Sequence, residues 1–199
     1  MFTGIIQAVG EIKTIELIDK SSRMHIHTGK LDLTNVSIGD SIAVNGVCLT
    51  ATQWLSDGFL ADLSAETLAC TTFSSAKIGD SVNLEKCLTP TTALGGHFVT
   101  GHVDAVGEII RYEPLSNFVI MGIQLPADLA RFVASKGSIT VDGISLTVNE
   151  VTQTSFLVTL VPHTIEQTTL QHKLVGSRVN LEVDIIARYT ARFLSFAPV

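Results

Sequence analysis

Apolar and polar residues alternate along short segments of the chain, and this alternation predicts β-strands. The first such segments are VGEIKTIEL (9–17), MHIHT (24–28), SIAVNG (41–46), CLTATQWL (48–55), GFLADL (58–63) and SVNLEKCL (81–88). Turn-forming pairs such as Asn45-Gly46 and Asp57-Gly58 separate them. Six short strands with little helix predict a small closed barrel, because closure leaves no exposed sheet edge.

The same pattern then returns at a constant spacing. TGIIQAVGEI (3–12) returns as TGHVDAVGEI (100–109), an offset of 97 residues (100 − 3 = 97). SIAVNGVCLT (41–50) returns as SITVDGISLT (138–147) at the same offset, and so does VNLE (82–85 and 179–182). This constancy indicates two copies of one unit laid end to end. The sequence therefore predicts an all-β protein of two tandem barrels, with domains at 1–97 and 98–186.

Two segments show a helical pattern instead. ADLARFVASKG (127–137) predicts one helix within the second copy. The tail predicts another, whose apolar face consists of Ile186, Tyr189, Phe193 and Phe196. We assign residues 187–199 to this short C-terminal helix and expect it to serve oligomerisation. Two interpretations stay open: the helix lies on a barrel of its own chain, or it packs against other subunits.

The composition excludes several classes of protein. Hydrophobic residues make up 46% and charged residues 16%, which is typical of a packed globular chain. A net charge of −6 and 6% aromatic residues disfavour nucleic-acid binding. The mean hydropathy is +0.39, yet no apolar run reaches the roughly 18 residues of a membrane helix. Neither a signal peptide nor a CxxC pair is present, so we expect a cytoplasmic protein without disulfides.

The two copies differ at residues that carry chemistry. A reaction between two identical molecules needs two related sites with opposite roles, and a duplicated unit supplies them. Loop residues match between the copies: Thr3/Thr100, Gly4/Gly101, Gly46/Gly143, Thr50/Thr147 and Thr67/Thr164. Reactive residue types do not match: Cys48/Ser145, Ile5/His102, Gly39/Lys136, Glu66/His163 and Cys87/Asp184. We therefore expect two sites of similar shape and different chemistry.

The matched glycines and hydroxyl residues are candidates for binding. Gly4 and Gly101 allow the backbone to approach a flat heterocycle, although turn glycines would look the same. Thr50, Thr147 and Ser145 offer short donors and acceptors to a ring edge or a polyol, although such residues are also ordinary in strands.

One cysteine and two histidines are candidates for chemistry. Cys48 follows a turn and has a serine as its counterpart, which suggests a polar pocket; the alternative is a core cysteine. His97 and His102 lie five residues apart, on opposite faces if their segment is a strand, which argues against a shared metal site. No HExxH pattern is present, and we expect no metal. Histidine suits proton transfer near neutral pH, and we favour His102 over His97 for that role.

Four motifs carry a family resemblance: MFTG at the N-terminus, NGVCLT (45–50), GGHFVTGH (95–102) and DGISLT (142–147). Along essentially its whole length the chain resembles the α subunit of riboflavin synthase. This implies two six-stranded Greek-key barrels and a homotrimer formed through the C-terminal helix. It also implies a dismutation of two 6,7-dimethyl-8-ribityllumazine molecules, in which one gives a four-carbon unit to the other. The products are riboflavin and 5-amino-6-ribitylaminouracil, no cofactor is needed, and association with lumazine synthase is a further expectation.

The resemblance also implies the site residues. The catalytic candidates are Cys48, as a nucleophile toward ring carbon 7, with His102, His97, Ser41 and Ser145. The implied ligand contacts are Phe2, Gly4, Ile5, Ile6, Cys48, Leu49, Thr50, Asp62, Leu63, Ser64, Ala65, Glu66, Thr67, Gly101, His102, Val103, Lys136, Ser145, Leu146, Thr147, Leu160, Val161, Pro162, His163, Thr164, Ile165 and Asp184. The stretches 62–67 and 160–165 are expected to be ligand-binding strands. Sites that react together are implied to come from neighbouring subunits, and the short tail predicts a weak trimer contact.

Other proteins with such barrels are alternatives. A non-catalytic lumazine- or flavin-binding fluorescent antenna protein shares the duplicated barrel, but it would be expected to lose reactive residues from one copy. This chain keeps Cys48, His97, His102, Lys136 and Ser145. A flavin-binding reductase barrel would need a following nucleotide-binding βαβ unit, for which the chain has no room.

Overall fold

A computed structural model describes residues 1–196, most of which belong to two closed barrels of six antiparallel strands. The first barrel consists of β1 (Ala8–Ile18), β2 (Ser21–His27), β3 (Ser41–Val44), β4 (Val47–Trp54), β5 (Gly58–Leu63) and β6 (Ser81–Lys86). The second consists of β7 (Ala105–Leu115), β8 (Phe118–Gln124), β9 (Ser138–Val141), β10 (Ile144–Val151), β11 (Ser155–Leu160) and β12 (Arg178–Val183). The prediction of two tandem six-stranded barrels is confirmed.

Both barrels close in the same strand order. Around the rings the orders are β1-β2-β5-β4-β3-β6 and β7-β8-β11-β10-β9-β12. Pairing β2 with β5 and β3 with β6 joins strands that are not consecutive, as in a Greek key. Each strand of the second barrel begins 97 residues after its counterpart (105 − 8 = 97 for β7 and β1). The repeat in the sequence is therefore a repeat of the structure, element by element.

Each barrel has its own apolar core, filled by the inward-facing positions of its strands. The largest fully buried side chains occupy equivalent positions in the two cores, namely Met24/Met121, Ile26/Ile123 and Phe59/Phe156. Two separate cores account for the high apolar fraction of the sequence, and each supplies the hydrophobic driving force for its own barrel.

A symmetric pair of asparagines joins the two barrels. The Asn83 side-chain amide donates to the backbone oxygen of Asp142, and the Asn180 amide donates to that of Asn45, each at 2.9 Å. Each asparagine oxygen also accepts a backbone N–H of the opposite copy at 2.8 Å. Both asparagines are buried. Because buried amides are costly to leave unpaired, these bonds hold the barrels in one relative position.

One short α-helix follows the fifth strand of each barrel: α1 (Ala65–Cys70) follows β5, and α2 (Pro162–Gln167) follows β11. The expectation that 62–67 and 160–165 are strands was therefore wrong beyond Leu63 and Leu160. The Ser64 hydroxyl accepts the Thr67 N–H at 3.1 Å and caps α1, while Pro162 supplies a preset φ at the start of α2.

The helix predicted over 127–137 forms only in part. The segment forms a 3-10 helix only over Ala127–Phe132, and no side chain caps its start. Val133 is already extended, and Lys136 has a left-handed φ of 66° that leads the chain into β9. Six residues without a capping side chain hold too few hydrogen bonds to propagate a helix.

The C-terminal helix is α3 (Ile185–Leu194), capped by the Asp184 carboxylate, which accepts the Ile186 N–H at 2.8 Å. The predicted apolar face does not lie on a barrel: Ile186, Tyr189 and Phe193 on α3 and Phe196 just after it are 60–76% exposed. Of the predicted helical segment 187–199, residues 197–199 lie outside the described residues. Within 1–196, no helix has both the length and the apolarity needed to span a bilayer.

Candidate active site

Two buried glutamates shape the loop that opens each copy. Glu85 accepts the Thr3 N–H and hydroxyl at 2.7 and 2.6 Å and the Gly4 N–H at 3.0 Å. Glu182 accepts the same three groups of Thr100 and Gly101 at 2.7, 2.6 and 2.9 Å. Burial raises the pKa of the Glu85 carboxyl, and the hydrogen bonds from the loop oppose that rise. Each Thr-Gly loop is thus fixed by a carboxylate of its own copy.

Each of these loops lies against the opposite barrel. The Gly4 oxygen accepts the Ser145 N–H on β10 at 2.8 Å, and the Gly101 oxygen accepts the Cys48 N–H on β4 at 2.9 Å. Both glycines have a left-handed φ, +76° and +80°. A Cβ at Gly4 would come within 2.6 Å of Ser145 Cβ, and one at Gly101 within 2.5 Å of Cys48 Cβ. Glycine is required at both positions for the backbone conformation and for the close contact.

The first site is therefore composite. It contains Cys48 and Thr50 of β4, together with Ser41 of β3, which is the cross-strand partner of Thr50. Residues 101–103 of the second copy complete it. Val103 packs against the first core. His102 is exposed and follows Gly101 directly, so it belongs with Cys48 rather than with His97.

The second site is built from the equivalent residues, with the roles of the two copies exchanged. Ser145 and Thr147 of β10 receive the loop that contains Gly4, Ile5 and Ile6, and Ile6 packs against the second core. Ser138 of β9 is the cross-strand partner of Thr147. It stands where Ser41 stands in the first copy and was missed in the sequence, although the repeat itself was a signal for it.

Among residues 1–196, the His97 side chain forms hydrogen bonds only within the second site. Its Nδ1 lies 2.7 Å from Ser145 Oγ and its Nε2 3.2 Å from Thr140 Oγ1. The residue is 9% exposed, and burial lowers the pKa of its imidazole, opposed by the negative charges of Asp184 and Glu182. The two histidines of GGHFVTGH thus serve different sites, since His97 contacts Ser145 and His102 adjoins the Gly101–Cys48 contact. Their segment is not a strand, apart from one isolated bridge at Val99.

Lys136 lies in a turn where the backbone φ is in the left-handed region in both copies. Its counterpart Gly39 has a φ of +93°, and both residues donate their N–H to the strand that carries the site, to Val148 and Ala51 respectively. A left-handed conformation costs about 1 kcal/mol in a residue other than glycine. The second copy bears this cost at an exposed lysine that the sequence singled out as a ligand contact.

Some of the predicted contact residues have side chains that lie in the barrel interior. The side chains of Leu49, Leu63, Leu146 and Leu160 are buried in the barrel cores, so these residues offer a ligand their backbone only. Phe2 is fully buried, forms a two-way bridge with Val99 and packs beside Cys48 and Cys87.

Other predicted contacts have polar partners of their own. The Asp62 carboxylate forms an ion pair with Arg23 at 2.7 Å, and the hydrogen bond from that guanidinium lowers the Asp62 pKa. The Glu66 carboxylate accepts the Cys70 thiol at 3.3 Å and raises the pKa of that thiol. The remaining predicted contacts lie on the two short helices: Ala65 and Thr67 on α1, Val161 at the start of α2, and Pro162, His163, Thr164 and Ile165 on it.

Sequence reasoning missed Glu85, Glu182 and Thr140. The repeated VNLE contained both glutamates and was the available signal. Thr140 follows the strand alternation and carries no motif. In the described part of the chain, no group of three or more His, Cys, Asp or Glu side chains could hold a metal ion.

The model of the lumazine binding domain family matches residues 3–87 and 100–184, the two copies of the repeat. A riboflavin synthase from Photobacterium phosphoreum is 48% identical over 194 residues, which cover 98% of this chain and 89% of the relative. The chain belongs to the riboflavin synthase family of lumazine-binding proteins. A riboflavin synthase from Bacillus subtilis (strain 168) is 42% identical over 194 residues, covering 98% of this chain and 90% of its own. These curated relatives support an enzyme with riboflavin synthase activity.

Solved structures with the same fold include LumP in complexes with a lumazine and with riboflavin. The crystal structure of LumP with 6,7-dimethyl-8-(1'-D-ribityl) lumazine is similar at a TM-score of 0.83 and 28% identity, covering 92% of this chain and 99% of the other. LumP with riboflavin is similar at a TM-score of 0.85, with the same identity and coverage. This chain and LumP thus share the duplicated barrel.

Proposed function

We propose that the chain catalyses the dismutation of two 6,7-dimethyl-8-ribityllumazine molecules to riboflavin and 5-amino-6-ribitylaminouracil, as a transferase of a four-carbon unit. The atoms of the two substrates equal those of the two products, so the reaction needs no external oxidant or reductant. The observation that carries the proposal is the pair of composite sites, related by the repeat and lined by different reactive side chains.

The first site offers the Cys48 thiol and the His102 imidazole, and the second offers the Ser145 hydroxyl beside His97. One lumazine must lose a proton from its C7 methyl group, and its ring delocalises the resulting charge. The protein then has to orient two rings and to supply a base of moderate strength. We propose His102 for the base and Cys48 for addition to ring carbon 7.

A homotrimer is part of the proposal. The apolar face of the C-terminal segment consists of Ile186, Tyr189 and Phe193 on α3 and of Phe196 just after it, and it is exposed in a single chain. A second copy of α3 is a suitable occupant, and sites from neighbouring subunits would then face each other. The domain limits 1–97, 98–186 and 187–199, the cytoplasmic location and association with lumazine synthase stay predictions.

The proposed activity can be tested with the purified chain and 6,7-dimethyl-8-ribityllumazine under anaerobic conditions. We expect the absorbance and yellow-green fluorescence of riboflavin to grow, together with 5-amino-6-ribitylaminouracil. Riboflavin formation that requires oxygen, or its absence, would contradict the dismutation.

Similarity to LumP favours one other candidate function, a non-catalytic holder of a lumazine or flavin chromophore. Such a protein would bind the lumazine tightly and return it unchanged. The reactive side chains present in both sites favour the enzyme.

A further inference from the structure

His97 bridges two side chains that stand opposite each other on neighbouring strands. Thr140 of β9 and Ser145 of β10 are direct cross-strand partners, and each contacts a different nitrogen of the imidazole, Nε2 at 3.2 Å and Nδ1 at 2.7 Å. In the first barrel the equivalent pair is Ala43 and Cys48. That pair lacks both hydroxyls, so the bridged arrangement is specific to the second site.

The hydrogen-bonding capacity of Thr140 decides how the imidazole is protonated. Thr140 is 1% exposed, and among residues 1–196 its hydroxyl has a single partner, the Nε2 of His97. If Nε2 carried the proton, the Thr140 hydroxyl would accept that bond and its own proton would be buried without an acceptor, which is costly. If the hydroxyl donates to a bare Nε2, every group is paired.

This choice sets the role of Ser145. With Nε2 accepting, Nδ1 carries the proton of the neutral ring and donates to Ser145 Oγ at 2.7 Å. The Ser145 N–H is already bonded to the Gly4 oxygen, and the residue is only half-buried. The Ser145 hydroxyl proton is then free to point into the site.

We propose that Thr140 is a positioning residue that fixes the Nδ1-protonated tautomer of His97 and thereby makes Ser145 a hydrogen-bond donor to the ligand. Its acceptor would be a ring carbonyl oxygen or ring nitrogen of the lumazine. The identity of this ligand rests on the proposed function, whereas the tautomer does not. In this arrangement both His97 nitrogens are engaged by the protein, so His97 orients Ser145 and His102 is left to transfer protons.

The test combines a ligand-free and a ligand-dependent measurement on three variants. Thr140→Val removes the hydroxyl and keeps the volume, Thr140→Ser keeps the hydroxyl, and Thr140→Ala copies the residue at Ala43. The 15N NMR signals of His97, assigned by their loss in His97→Gln, report the tautomer without ligand. We expect a protonated Nδ1 and a hydrogen-bonded bare Nε2 in the wild type and in Thr140→Ser, and a mixture of tautomers in Thr140→Val and Thr140→Ala.

The ligand-dependent measurement is steady-state turnover. We expect KM for the lumazine to rise about tenfold in Thr140→Val and Thr140→Ala, with kcat changed less, because one hydrogen bond to the bound ligand is weakened. A wild-type His97 protonated at Nε2, or unchanged tautomer and KM in folded Thr140→Val or Thr140→Ala, would overturn the proposal. A wild type that forms no riboflavin would overturn the proposed function, and the tautomer would still be tested.

Discussion

The backbone oxygen of Gly101 accepts a hydrogen bond from the N–H of Cys48 at 2.9 Å, although the two residues belong to different copies of the repeat. Gly4 and Ser145 form the equivalent contact at 2.8 Å. Neither barrel therefore holds a complete site of its own. The crossing loops make each candidate site depend on residues of both copies.

This contact predicts that Gly101→Ala will damage the first site and the fold together. The new Cβ would lie 2.5 Å from Cys48 Cβ at a φ of +80°, and we expect a loss of about 3 kcal/mol or more in the free energy of unfolding. Gly79→Ala is the matched control, since Gly79 has a φ of +95° and open space within 4 Å. Its strain alone should cost about 1–2 kcal/mol. Urea unfolding of both variants distinguishes them, and equal losses would contradict the close contact.

The thiol of Cys48 should matter for turnover more than for folding. Cys48→Ser introduces the hydroxyl that the second copy carries at Ser145. We expect kcat to fall about tenfold or more, because a hydroxyl is a weaker nucleophile than a thiol near neutral pH. An unchanged single-turnover rate in Cys48→Ser would exclude this role for the thiol.

The imidazole of His102 is the proposed base. His102→Gln should therefore lower kcat about 100-fold, because the variant has no imidazole to transfer the proton. An unchanged single-turnover rate in this variant would exclude that role.

Burial of His97 should make the stability depend on pH. Its pKa lies below the ordinary value of 6.5 in the folded chain, so the unfolded chain binds more protons in the interval between the two pKa values. The contribution of the neutral ring is complete above 6.5 and is lost as the pH falls below it. The stability of the wild type relative to His97→Gln should therefore shrink from about pH 7.5 to about pH 5. A difference that does not vary with pH would show that burial does not perturb the ring.

The exposed face of α3 should control assembly without affecting the barrels. Phe193 is 76% exposed on this face, and Phe193→Glu should convert a trimer to monomers in sedimentation velocity while the thermal transition of the barrels persists. Leu17→Glu is the control, because Leu17 is 79% exposed on β1. Loss of the trimer in both variants, or in neither, would argue against α3 as the contact.

The barrels could be predicted from the sequence because the constant offset and the alternation depend only on local order. The helices α1 and α2 could not, because six residues show too little periodicity and the strand pattern runs directly into them. The helix predicted over 127–137 was too long, because the helical spacing of the sequence continues past the point where Val133 becomes extended.

The candidate residues were found by comparing the copies, but their grouping was not. A sequence offset does not tell that Gly4 contacts Ser145 while its own glutamate lies in the first barrel. The same crossing assigns His97 and His102 to different sites, an assignment that their five-residue spacing alone could not give. Thr140 could not be found at all, because one threonine in a strand is indistinguishable from its neighbours until His97 is placed beside it.

The stoichiometry of turnover tests the central claim most directly. Lumazine consumed, riboflavin formed and 5-amino-6-ribitylaminouracil formed can be measured in one anaerobic reaction by liquid chromatography. Two non-equivalent sites that react their ligands with each other predict two lumazines consumed for each riboflavin and each pyrimidine released. Stable lumazine binding without either product, or one riboflavin for each lumazine consumed, would contradict the account.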